Sequence, residues 1–174
     1  MIPVEYFWGI LFIVFGIIGM ARGLLKELGA TTILLLSLFA LKLGWDQVGA
    51  RIVEAVQDKA PDDTIMAAYF GIAILFVAFI SYEGVVLQFP MKKLAGAAKA
   101  IFGLMGGLLN GYLIIGTIWD VVAQANYFRP TTMVLSGNLS DLHNSIVQYL
   151  PVTFMNEFVL LALGMILLLA IVLR

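Results

Sequence analysis

The sequence contains no cysteine, a single histidine and little charge. Without cysteine there are no disulfides, no Cys-ligated zinc, no iron–sulfur cluster and no thiol catalysis. The lone histidine, His143, excludes a bis-histidine haem or a His-rich metal site within this chain. Charged residues make up 12% of the chain, half of the ~25% carried by soluble domains. The net charge is −1, so no basic surplus is present to neutralise phosphates, and a nucleic acid is not expected as a partner. Paired carboxylates, a nucleophile–base set, a phosphate-binding loop and metal-ligand spacings are also missing. The segment "GIIGMARG" (16–23) has glycine spacing, but it follows an apolar helix rather than a strand, so it does not read as a dinucleotide loop. The chain reads as non-enzymatic, with no catalytic, cofactor or metal residues to assign.

What is present is apolar: 62% of the residues are hydrophobic. A helix that spans a bilayer needs about 20 mostly apolar residues. Four segments meet that length, at about 3–21, 28–45, 64–87 and 100–119, and a fifth follows at 152–174. The fold class expected is an all-α, polytopic helical membrane protein with four core spans and a C-terminal fifth. The four spans form one domain over 1–125, and an outer connector covers 126–151. The first apolar stretch is preceded by Glu5 and followed by its basic residues, the reverse of a secretory signal.

Charge sets the orientation. With the N-terminus outside and the C-terminus inside, Arg22, Lys26, Lys92, Lys93, Lys99 and Arg174 all fall on the inner side, and nine of the 11 acids fall on the outer side. Lys and Arg in short loops mark the cytoplasmic face, so the turns at Arg22–Lys26 and Lys92–Lys99 should be cytoplasmic. Trp8, Trp45 and Trp119 then lie toward outer helix ends, where an aromatic belt belongs. Lys42 lies three residues before Trp45 and is expected to snorkel to the outer interface.

Two outer segments carry helical spacing. Val48, Ile52 and Val56 recur every fourth residue before Pro61. Leu139, Leu142, Ile146 and Tyr149 form a stripe, with Ser136 or Asn138 as a cap and Pro151 as a stop. Both are expected as separate short amphipathic helices on the membrane surface or against a partner, with residues 120–137 irregular between spans. His143 reads as a solvated surface residue.

The fourth span, "AIFGLMGGLLNGYLIIGTIW", repeats Gly103, Gly107 and Gly111 every four residues. The first span carries a second small-residue face at Gly9, Gly16, Gly19 and Gly23. Such faces let helices approach closely in lipid, where hydrophobicity gives no drive for association. Packing within the chain is the first expectation for them; an oligomer contact or a pore lining is the alternative. Asn110 lies near the middle of the fourth span and needs a partner, for which Ser37 stands at similar depth; such a bond contributes about 0.6–2 kcal/mol. No ionisable side chain is expected deep in the bilayer, which argues against a proton relay or ion-coupled transport.

Two stretches carry a resemblance. "GMARGLLKEL" (19–28), with its glycine-bearing helix, Gly-Leu pair, basic residue and acid, and "IFGLMGGLLNGYLII" (101–115) are similar to the colicin V production protein (CvpA) family of small bacterial inner-membrane proteins. The resemblance covers roughly residues 5–125. It departs from the family at Asn110, where members often carry a basic residue, and in the fifth helix. It implies a multi-pass inner-membrane protein linked to toxin production or secretion and envelope homeostasis, and it brings no catalytic residues. A scaffold or assembly factor of that kind is the leading expectation. The alternatives are an accessory structural subunit of a respiratory or photosynthetic complex, and a homo-oligomeric pore. The partners expected are the lipid bilayer and either other membrane subunits or further copies of the chain.

Overall fold

The computed structural model describes residues 4–56, 60–83, 87, 89, 95–128 and 141–173. Among them every regular element is helical. The order is α1 (Val4–Arg22), α2 (Leu24–Val56), α3 (Asp62–Glu83), α4 (Gly96–Gly111), a π-helical turn (Tyr112–Gly116), α5 (Thr117–Gln124), α6 (Asp141–Val147), α7 (Pro151–Phe154) and α8 (Glu157–Val172). A short 3-10 turn, Asn126–Phe128, follows α5. Four helical stretches are long and apolar enough to cross a membrane: Glu5–Arg22, Leu24–Val56, Asp62–Glu83 and Gly96–Gln124. Their outward faces are greasy, with Ile72, Phe76 and Phe79 on α3 each more than 60% exposed, as suits a lipid surrounding better than water.

The helix ends follow local chemistry. Gly23 alone separates α1 from α2, at φ +84°, and its N–H donates to Gly19 O at 2.7 Å. A residue with a side chain is disfavoured in that left-handed conformation, so glycine lets the chain reverse in one step. Pro61 opens α3, its carbonyl accepting from Thr64 N and Ile65 N, and Asp62 and Asp63 sit favourably at the positive end of the helix dipole. Asn156 caps α8 by accepting from Val159 N at 2.9 Å.

Helices α1 and α4 pack most extensively, and α2 lies centrally, against α3, α4 and α8. The core runs along that centre: Leu34, Leu35 and Leu38 of α2, Ile74 of α3, Leu113 and Ile114 of the π turn, Trp119 of α5 and Leu160 of α8. The end of the bundle that holds Gly23 is called the hairpin end below, and the end that holds Trp8 and Trp119 the far end.

Several sequence expectations change here. Helix α2 does not end at Trp45: no proline interrupts Trp45–Val56, and the single Gly49 does not break the ladder, so the surface helix expected there is the last part of one 33-residue helix. It also begins at Leu24 rather than Leu28, which moves Glu27 from a loop into the first helical turn. The fourth span continues through the π turn to Gln124, into the stretch expected to be irregular. The fifth helix does not extend back to 152. The chain turns extended at Met155 and Asn156, leaving α8 with 16 residues, or about 24 Å. Lys92, Lys93, Arg174, Ser136, Asn138 and Leu139 lie outside the described residues.

Candidate functional site

Glu27 is completely buried. It lies in phase with Thr31, Leu34 and Leu38, which are also buried, so the carboxylate continues the inward stripe of α2. Its Oε2 accepts from Asn110 Nδ2 at 2.7 Å and from Tyr82 OH at 2.9 Å. Its Oε1 faces Arg22 NH1 at 3.3 Å, an ion pair without the angle of a hydrogen bond. Three helices and the α1–α2 hairpin thus converge on one carboxylate.

The partners are themselves held. Asn110 Nδ2 also donates to Glu27 O at 3.0 Å, and Asn110 Oδ1 lies 2.7 Å from Thr31 Oγ1. The Thr31 hydroxyl is also 2.8 Å from Glu27 O, and its one proton serves one acceptor at a time. The Arg22 guanidinium stacks 4.0 Å over the Tyr82 ring, and its NH2 reaches Ser81 O at 3.5 Å. A buried charge is tolerated when it is paired and hydrogen-bonded, and here the carboxylate has a cation on one oxygen and two neutral donors on the other. This arrangement corrects two expectations. Asn110 finds Glu27 and Thr31, not Ser37, which is half-buried about a turn and a half further along α2. Glu27, expected in the turn between the first two spans, lies inside the bundle.

The glycines place this cluster. Gly19 and Gly107 meet backbone to backbone: a Cβ added at Gly19 would lie 2.6 Å from Gly107 Cα and would strike the Gly103 carbonyl oxygen. Gly16 receives Leu104 and Leu108, Gly111 receives Phe15, and Gly23 receives the stem of Lys99. The small-residue faces of spans one and four therefore pack on each other, and the α4 face is filled by α1 rather than open to line a pore. Gly9 stands outside this contact, with nothing within 4 Å of an added Cβ. Of the basic residues expected to set topology, Arg22 turns inward to Glu27, whereas Lys26 and Lys99 are exposed.

A second polar set fastens the far end. Asp120 is fully buried in α5 and accepts from Thr153 N, Thr153 Oγ1 and Gln124 Nε2, each at 2.8 Å. Lys42 donates to the Val152 carbonyl at 3.0 Å and the Met155 carbonyl at 2.6 Å, and pairs with Glu157 at 3.4 Å. It ties down the break between α7 and α8. Trp8 stacks on Trp119, with ring centroids 5.8 Å apart, and both are buried rather than forming an exposed belt.

His143 is 3% exposed, not solvated. Its ring packs 5.7 Å from that of Trp119 and 5.8 Å from that of Tyr127, and burial lowers its pKa against an opposing contribution from Glu5. Helix α6 is therefore rotated from the predicted stripe, with Leu142 exposed and His143 inward. Tyr127 belongs to three consecutive non-glycine residues at positive φ, Asn126 to Phe128. Each such residue costs on the order of 1 kcal/mol, offset in part by the Trp119 Nε1 donation to Tyr127 OH at 3.0 Å.

Sequence reasoning missed Glu27, Tyr82 and Thr31. For the first and third the signal was the i, i+4, i+7 spacing of Glu27 and Thr31 with Leu34. For Tyr82 no comparable signal exists in the sequence. No family model, curated protein or solved structure matches the chain.

Proposed function

We propose that this chain is a non-enzymatic, multi-pass protein of the bacterial inner membrane, with the N-terminus outside, that serves as a CvpA-like scaffold or assembly factor in toxin production, secretion or envelope homeostasis. One observation carries the reading. The two stretches on which the resemblance rests, 19–28 and 101–115, are in direct contact, through Gly19 against Gly103 and Gly107 and through Glu27 against Asn110. They make one unit, with the buried ion pair at its hairpin end. The outward faces are left to lipid and, through it, to other membrane subunits or further copies. The exposed lysines of the hairpin end, Lys26 and Lys99, support a cytoplasmic placement of that end. Helix α8, shorter than the hydrocarbon layer, lies along α2 as the fifth span, with Gly164 against Leu35 and Leu36.

Two measurements test the proposal. Extraction in mild detergent, followed by native mass and identification of co-purifying chains, should give a monomer or a small assembly. Loss of the gene should lower secretion of a peptide toxin or sensitise the envelope to detergent. Recovery of the chain in fixed stoichiometry with respiratory or photosynthetic subunits would replace this reading with that of an accessory subunit.

A further inference from the structure

We infer that the hairpin end is a binding site for an anionic phosphate group, formed by Arg22, Lys26 and Lys99 around a cavity at the α1–α2 turn. The cavity has a volume of about 360 Å³ and is lined by Ala21, Arg22, Gly23, Leu24, Leu25, Lys26 and Lys99. Three of those seven residues are cations and none is an acid.

The acids near this end are turned away from it. Glu27 follows Lys26 directly, yet its carboxylate points into the bundle, where Asn110, Tyr82 and Arg22 occupy it. Glu83 ends α3 and does not line the cavity. Among the described residues, neither Lys26 nor Lys99 has an ion-pair partner, so their charge is available to a ligand. Arg22 directs NH1 at Glu27 and NH2 at the Ser81 carbonyl, and a guanidinium carries five N–H donors, so it retains donors beyond these two. The Lys99 stem is fixed across Gly23, its Cε 3.1 Å from where a Cβ would stand, so the ammonium is delivered from α4 to the mouth of a turn made by α1 and α2. Cations thus reach the cavity from α1, α2 and α4. The backbone N–H groups of Leu24 and Leu25 are unpaired, because the hydrogen bonds of α2 begin at Lys26 N, and both residues line the same cavity.

The ligand chemistry is a phosphate bearing net negative charge. A phospholipid headgroup and a soluble phosphate both supply it. The site lies at the junction of two helices long and apolar enough to cross a membrane, and basic clusters at the ends of spanning helices bind anionic lipids.

The experiment uses the full chain in mild detergent. Native mass spectrometry measures retention of added phosphatidylglycerol against phosphatidylcholine, and calorimetry titrates inorganic phosphate. The K26Q/K99Q double variant removes two exposed lysines and leaves the Arg22–Glu27 pair intact; R51Q, at the far end, serves as the control. Preferential retention of phosphatidylglycerol that falls roughly tenfold or more in K26Q/K99Q and not in R51Q would assign the site to a lipid headgroup. Inorganic phosphate binding that is lost in K26Q/K99Q, with no lipid preference, would assign it to a soluble phosphate. Independently of any variant, bound ligand should shield Lys26 and Lys99 of the unaltered chain from an amine-acetylating reagent, while Lys42 shows no change. No preference for phosphatidylglycerol together with no phosphate binding overturns the inference, as does binding that is equal in the double variant and the unaltered chain.

Discussion

Glu27 Oε2 accepts a hydrogen bond from Asn110 Nδ2 at 2.7 Å, which joins the first turn of α2 to the last turn of α4. The bond belongs to a closed set in which the Arg22 cation, the Tyr82 hydroxyl and the Thr31 hydroxyl complete the surroundings of the pair. Removal of one member leaves the others buried and short of a partner.

E27A should therefore destabilise the protein by about 3–5 kcal/mol, because the Arg22 guanidinium loses its counter-charge. E27Q should cost less, since it keeps the volume and one hydrogen-bonding oxygen. A double-mutant cycle of E27Q with N110L should return a coupling of roughly 0.5–3 kcal/mol. Denaturation in detergent, followed by circular dichroism, provides the measurement; additive losses would show that the two residues act separately.

Glycine substitutions should divide by location. G19A or G107A forces apart two helix backbones that touch, since an added Cβ at either position meets backbone atoms that have no rotamer to adopt. A loss on the order of 2 kcal/mol or more is expected. G9A meets nothing within 4 Å, and in a helix interior it should be neutral or stabilising by about 0.5–1 kcal/mol. Melting temperatures of the three variants, compared side by side, decide the point.

K42M removes the donor that holds the Val152 and Met155 carbonyls. The break between α7 and α8 should open, and hydrogen exchange at 151–157 should accelerate, while amides near Glu27 keep their protection. The expected cost is roughly 1–3 kcal/mol.

Acid should weaken the far end. Burial lowers the pKa of His143 from its ordinary 6.5, so the folded state favours the neutral ring, and protonation favours the undocked one. The stability due to this group is fully present above pH 6.5. It declines as the pH falls through that value, and the decline ends below the lowered folded pKa. Trp119 fluorescence, read from pH 8 to 5, should report loss of the Trp119–His143 contact, and H143F should flatten the profile.

The helical class and the four long spans were legible because apolar runs of this length have few other uses. The glycine contact was legible too, since small residues every four positions leave little else for a helix face to do. A helix boundary at Leu28, where the apolar run begins, leaves Glu27 outside the span as a loop charge; the four residues of helix before it, Leu24–Glu27, change its surroundings entirely. His143 stands in a polar segment, which by itself predicts exposure. Its burial depends on Trp119 of α5 and on Tyr127, which the left-handed turn at 126–128 carries, and no local pattern announces that turn. Lys42 shows a third limit: its partners are backbone carbonyls at a helix break more than a hundred residues away.

The π turn at Tyr112–Gly116 divides the fourth span into two angular frames. A π turn holds one residue more than an α turn, so side chains beyond it are offset by about 100° from where an unbroken helix would aim them. Before the turn, the glycine face and Asn110 address α1 and α2; beyond it, Trp119 and Asp120 address Trp8 and the Thr153 segment. Deletion of a single residue within 112–116 would remove the extra residue and the offset together, so the straightened helix would still aim the Asp120 carboxylate at its three donors. The Gly19 contact and the Glu27 cluster, lying ahead of the offset, would keep their aim. The turn thus takes up one residue of length, and the contacts at both ends of the molecule are independent of it.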